Sequence, residues 1–205
     1  MIEIKTLLPI VTIILASLCT VTKADWYTDA WGNMCVDDGG QYIIDSIIST
    51  KVMVDFWHQP NPGTQVELIS GGYLGQHLEI YGYGDVTISG GVIEGYLSAG
   101  GYSNVDILGG LFGDNLYSFT FLENAVGTFF GTDFQINGSF VGHGMWTGEV
   151  LQDRFRLTGI LANGTSIDNY VSLLDEATTM VLAVPEPTTL LLLGLGGLVL
   201  RKRRR

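Results

Sequence analysis

The sequence predicts an all-β protein: a short parallel β-helix (a β-solenoid) with a small antiparallel β cap, followed by a single C-terminal transmembrane helix. Three observations predict it. A 19-residue repeat rich in Ile, Val and Gly, without helical spacing, runs through the middle of the chain. Two later stretches alternate apolar and polar residues next to Asn-Gly pairs. The chain closes with an apolar run followed by five basic residues.

The first element is a leader. Lys5 precedes an apolar stretch, residues 7–18, and Thr22, Lys23 and Ala24 put small residues at positions −3 and −1 before Asp25. This reads as a signal peptide over residues 1–24, passed through the Sec translocon and removed by signal peptidase. An uncleaved N-terminal anchor is the alternative. Cys19 does not make a lipoprotein signal, because Leu18 stands where a small residue is needed. Cys35 is then the one cysteine left, which rules out an internal disulfide. It is expected to be a small buried residue, with an intermolecular bridge as the alternative.

The working part, about residues 25–184, is lopsided in charge. Lys51, Arg154 and Arg156 stand against nineteen Asp and Glu. The whole-chain value of −11 hides this, because five of the ten positive charges lie in residues 201–205. Such a surface repels nucleic acid and anionic polysaccharide unless divalent cations bridge them, and no nucleic-acid partner is expected. About 160 residues suffice for one sizeable core or two small ones.

The solenoid is placed at residues 25–125, with the repeat clearest over 68–125. Segments 69–74, 88–93 and 107–112 share an Ile-x-Gly-Gly cadence and start 19 residues apart. Leu78, Leu97 and Leu116 fall in one column. Tyr83, Tyr102 and Phe121 fall in another, and Asp85, Asn104 and Glu123 in a third. Stacked coils lie about 4.8 Å apart, so Ile should stack on Ile and aromatic on aromatic. Ile88 is expected inward and Ser89 outward, Tyr83 and Tyr102 in the core, and the polar column on an outer turn. The Gly-Gly pair suits a tight corner with positive φ. Residues 41–67 read as one or two degenerate turns, with a loop at 58–63.

Residues 126–183 form the expected cap and linker. Residues 129–138 and 155–165 read as antiparallel strands, and Asn163-Gly164 as a hairpin turn whose two positions both accept positive φ. Such a cap would cover the sticky edge at the solenoid's end.

The tail, residues 184–205, comes last. Val184, Pro185, Glu186 and Pro187 precede an apolar run to Leu200, and Arg201, Lys202, Arg203, Arg204 and Arg205 end the chain. The prolines hold Glu186 in extended backbone, and the basic residues act as a membrane stop signal on the cytoplasmic side. This order resembles the PEP-CTERM sorting signal of Gram-negative-type bacteria, recognised by exosortases. The resemblance implies that an exosortase reads Val184, Pro185, Glu186 and Pro187 while the helix holds the chain in the inner membrane. Residues 188–200 span about 20 Å as a helix, short against a hydrocarbon core of about 30 Å, which suits a transient anchor. The repeat's Val-x-Ile-x-Gly-Gly cadence resembles the adhesin-like β-helices of exported bacterial surface proteins. Residues 151–165, followed by the tail, resemble the C-terminal part of some planctomycete-type PEP-CTERM proteins.

Candidate chemistry is sparse. β-Elimination by a polysaccharide lyase needs positive charge to hold an enolate, and no Lys or Arg lies between Lys51 and Arg154. An inverting glycosidase needs only two carboxylates. Asp85, Glu94, Asp106 and Asp114 are available but fall in different phases of the repeat; only Glu94 and Asp114 come near register. His58, His77 and His143 have no zinc spacing. Residues 81–85 and the acidic turn Asp37-Asp38-Gly39-Gly40 are outer turns first and calcium sites second. Asn137 and Asn163 begin glycosylation sequons and read as turns. Tyr96 is expected to face outward, where a tyrosine can stack on sugars. No catalytic, cofactor or metal-binding residue is assigned. The expected function is that of an exported surface or extracellular-matrix protein, structural or adhesive in an exopolysaccharide-containing envelope. The alternatives are a carbohydrate-active enzyme, or a calcium- or carbohydrate-binding module, on the same scaffold.

Overall fold

A computed structural model describes residues 26–55, 63–113, 118–151 and 153–184. The chain enters through a short antiparallel pair, β1 (Tyr27–Thr28) on β2 (Met34–Val36). It then coils through about four turns, each giving three strands. The first turn holds β3 (Gln41–Ile44), β4 (Ile47–Ile48) and β5 (Val52–Val54). The second holds β6 (Gln65–Leu68), β7 (Tyr73–Leu74) and β8 (Leu78–Ile80). The third holds β9 (Asp85–Ile88), β10 (Val92–Ile93) and β11 (Leu97–Ala99). The fourth holds β12 (Asn104–Ile107), β13 (Leu111–Phe112) and β14 (Phe119–Phe121). Equivalent strands pair in parallel, making three walls: β2-β5-β8-β11-β14, β3-β6-β9-β12 and β4-β7-β10-β13. We call them the first, second and third walls.

The core is a set of ladders. In the second wall Val66, Val86 and Val105 stack in one inward column and Leu68, Ile88 and Ile107 in the next, all buried. Burial alternates along β6, β9 and β12, as a wall with one wet face requires. Leu74 and Ile93 line the third wall, and Leu78, Ile80, Leu97, Ala99, Phe119 and Phe121 the first.

The coils are not all of one length, and this moves two expected columns. Leu68, not Ile69, pairs with Ile88, so the corner before β7 holds one residue more than the corner before β10. Ile69 is accordingly only half-buried. The fourth turn is three residues longer than the third, because Leu97 pairs with Phe119 and Asn104 with Val126. Phe121 therefore stacks on Ala99, and Glu123 leaves the polar column. Tyr83 and Tyr102, expected in the core, are 42% and 58% exposed and stack on each other outside it.

The extra volume of Phe121 is taken from a neighbour. The column Val86–Val105 continues to Gly127, where a Cβ would come within 2.3 Å of the Phe121 ring. A large residue above Ala99 is matched by no side chain above Val105.

The C-terminal part both extends and closes the solenoid. β15 (Val126–Ile136) starts as a further strand of the second wall on β12. It then bulges between Thr132 and Gln135, where Asp133 has φ 56°. Beyond come β16 (Ser139–Phe140), β17 (Gly144–Thr147), β18 (Asp153–Leu161), β19 (Ser166–Leu173) and β20 (Thr179–Ala183). β18 pairs antiparallel with both β15 and β19, while β19 lies parallel on β14 of the first wall. The β15–β18–β19 ribbon thus ties the first wall to the second across the end of the coil, with Phe134, Phe155, Leu157 and Val171 buried beneath it. β20 adds to the second wall in parallel, a pairing that the antiparallel expectation for this region did not include.

The hairpin turn also differs from expectation. Only Gly164 has positive φ (88°), and the loop is a type I turn closed by Gly164 N–H donating to Leu161 O at 2.8 Å. Asn163 instead donates its backbone N–H to Leu108 O at 2.9 Å, anchoring the hairpin to the fourth coil.

Candidate functional site

The outward positions of the second wall form the best-defined polar surface. Because side chains alternate along a strand, each coil contributes two outward residues, giving the columns Gln41–Gln65–Asp85–Asn104 and Ile43–Glu67–Thr87–Asp106–Thr128. They line a shallow groove of about 720 Å³. The first column is laced along the coil axis: Gln41 Nε2 donates to Gln65 Oε1 at 2.8 Å and Asn104 Nδ2 to Asp85 Oδ1 at 2.9 Å. Burial in the groove pushes the Asp106 carboxyl above the usual range. The Thr128 hydroxyl bonded to it works the other way, and the Asp85 charge adds to the rise. Among the described residues, no basic residue lines the groove. Asp85 and Asp106, expected in separate phases of the repeat, thus share one face with Glu67. Glu94 lies at the third wall, and Asp114 lies outside the described residues.

A second groove, of about 740 Å³, follows the outer face of the third wall. Ile47, Tyr73, Val92 and Leu111 form its apolar column, with Ile47 and Leu111 well exposed.

The other singled-out residues that are described make contacts within the fold, and His58 lies outside the described residues. Tyr96 stacks on His77 with ring centroids 3.8 Å apart and donates its hydroxyl to Glu79 Oε1 at 2.6 Å, so it is half-buried and held rather than free to face outward. Lys51 pairs with the same Glu79 oxygen at 3.0 Å. Burial pulls the His77 imidazole below its ordinary range. His143 sits 3.2 Å from Gly131 O. In the acidic turn, Asp37 accepts from Tyr27 and Asp38 from Gly40 N–H. Cys35 is a free, buried thiol, raised by burial. Asn137 and Gly138 both have positive φ, as a turn residue pair does. Among the described residues, no three His, Cys, Asp or Glu side chains come together in a way that could hold a metal ion.

One buried acid carried no signal in the sequence. Asp55 is 7% exposed with φ 53°, and its Oδ1 accepts from Thr64 Oγ1 at 2.5 Å. Burial raises its carboxyl above the usual range; the Thr64 bonds oppose this, and the charges of Asp37 and Asp38 add to it.

The last described strand ends at Ala183, and Val184 beyond it is half exposed. Residues 183–205 match the family of the PEP-CTERM protein-sorting motif. The chain carries a PEP-CTERM sorting motif. It begins where β20 leaves the folded domain, and it contains Val184, Pro185, Glu186 and Pro187 together with the basic tail. No curated protein and no solved structure gives a significant match to the chain. The expected signal peptide, the membrane helix over 188–200 and Arg201, Lys202, Arg203, Arg204 and Arg205 lie outside the described residues. Among the described residues, no helix is long and apolar enough to cross a membrane.

Proposed function

We propose that this protein is exported and displayed at the cell surface or in the extracellular matrix, as a structural or adhesive component of an exopolysaccharide-containing envelope. The PEP-CTERM motif carries the reading: it marks an exported protein processed by an exosortase. In this account the Sec translocon and signal peptidase release residue 25 onward. Residues 188–200 cross the inner membrane transiently, and the terminal basic cluster stays in the cytoplasm. The exosortase then reads Glu186 between its two prolines. A solenoid suits the role, since stacked coils build an extended, regularly spaced outer face. The test is the double substitution Pro185→Ala/Glu186→Ala followed by cell fractionation. Full-length protein retained in the inner membrane is the expected result. Normal processing and surface delivery of the variant would sink the reading.

A glycosidase is the second reading, favoured by one observation: Asp85 and Asp106 share the groove on neighbouring coils, and glycoside hydrolysis needs such a pair. Release of reducing sugar by the wild type, lost in Asp106→Asn, would support it over the non-catalytic role.

A further inference from the structure

Two exposed tyrosines, Tyr83 and Tyr102, stand at the corners that lead into β9 and β12 of the second wall. In the third coil Tyr83 is exposed in the turn two residues before Asp85, where β9 begins. Tyr102 stands in the same relation to Asn104 one coil on. The two rings are offset-stacked, 5.4 Å between centroids and 11° between planes. Being 42% and 58% exposed, they leave aromatic surface open two residues before Asp85 and Asn104, the first residues of β9 and β12.

We propose that the groove on the second wall, together with the Tyr83–Tyr102 pair at the corners leading into that wall, binds a neutral, hydroxyl-rich glycan. A sugar hydroxyl both donates and accepts. Glu67, Asp85 and Asp106 accept, while Gln41, Gln65, Thr87, Asn104 and Thr128 offer both functions. The apolar C–H face of a sugar ring matches exposed tyrosine, whose ring supplies contact area at low entropic cost. Polar side chains recur at the outward positions of successive coils, about 4.8 Å apart, though their types change from Gln to Asp to Asn in one column and from Glu to Thr to Asp in the other, which fits an extended polymer lying along the wall. An anionic glycan would set its charges against three carboxylates with no basic residue among the described residues of the lining. The proposal deepens the adhesive role above and rests on that reading for where the glycan is met. Binding and surface delivery are nevertheless separate measurements.

The experiment is calorimetric titration of the full chain in a glycoside-free detergent. The probes are cellohexaose, maltohexaose and a β-1,3-linked glucohexaose, with hexagalacturonate and hexalysine as charged comparisons. At least one neutral hexaose should bind, with an affinity unchanged between low and high salt, and hexagalacturonate should not. Tyr83→Ala/Tyr102→Ala should weaken binding roughly tenfold or more. Tyr83→Phe/Tyr102→Phe, which keeps both rings, should bind like the wild type, which separates lost contact from lost fold. No binding of any neutral hexaose, or equal binding by the Ala and wild-type chains, overturns the proposal. So does binding of hexalysine alone with steep salt dependence, which would make the groove a site for cationic peptides. Loss of glycan binding with normal surface delivery leaves the sorting account intact, and the converse result overturns only that account.

Discussion

The exchange of volume between Phe121 and Gly127 allows a quantitative test of the coil register. One coil earlier the equivalent pair is Ala99 at the end of the third turn and Val105 at the start of the fourth. Gly127→Val places a branched side chain where a Cβ alone would lie 2.3 Å from the Phe121 ring. Overpacking of this kind costs about 1–3 kcal/mol, offset by the roughly 0.5–1 kcal/mol that a strand gains on losing a glycine. Phe121→Ala empties a fully buried site and should cost about 3–5 kcal/mol. Made together, the two changes recreate that earlier pair, so the double variant should be less destabilised than the sum of the singles by roughly 1–3 kcal/mol. Urea denaturation of the four proteins, with slopes compared to check two-state behaviour, supplies the cycle. Strict additivity would mean that Gly127 and Phe121 do not share space, and the stacking of Asn104 on Val126 would be wrong.

Further expectations concern single sites. Ile88→Asp puts a charge at a fully buried ladder position and should cost at least about 3 kcal/mol. Ser89→Asn should cost under about 1 kcal/mol; Asn is the better control than Asp there, because Ser89 Oγ lies 3.2 Å from Glu67 Oε1. Similar losses from the two would refute the inward assignment. Asp55 binds its proton more tightly folded than unfolded. Its contribution to stability is therefore full below the unfolded carboxylate range and is lost as pH rises through the raised folded value. Thermal melts should show the protein gaining stability on mild acidification from neutral pH, with a flatter profile in Asp55→Asn; an unchanged profile would show that Asp55 is not the group responsible. Arg156 pairs with Asp168 through two hydrogen bonds of 2.6 Å, but both side chains are more than half exposed. Arg156→Ala should therefore cost less than about 1 kcal/mol, and less again in high salt.

The period was legible in the sequence because stacked columns repeat their residue type: Val105 over Val86 and Ile107 over Ile88 are visible as text. The register was less so. A corner can absorb one more residue without changing its appearance, and the Ile69-Ser70-Gly71-Gly72 segment looks like Ile88-Ser89-Gly90-Gly91 although Leu68 is the stacked residue. The three extra residues of the fourth turn had a larger effect. A fixed spacing put Phe121 above Tyr102 and made the tyrosines look buried, and their exposure appears only once Phe121 is set above Ala99. The groove followed from the same alternation that revealed the strands, yet the sequence phase of Asp85 and Asp106 suggested separation, because two outward positions of one strand differ in phase while sharing a face. Asp55 was illegible for another reason: its burial depends on Thr64 and the acidic turn of the preceding coil, contacts that no local pattern encodes. The sorting motif was the most legible part, since its order of prolines, apolar run and basic cluster is contiguous in the sequence and needs no tertiary contact to be read.

The most direct test of the account is mass spectrometry of the mature chain's C-terminus, in cells with and without exosortase activity. With the enzyme present, surface material should end near Glu186 and lack the apolar run and the five terminal basic residues. Without it, the chain should keep Arg205 and stay with the inner membrane. An intact tail on most of the surface protein in exosortase-positive cells would contradict the account.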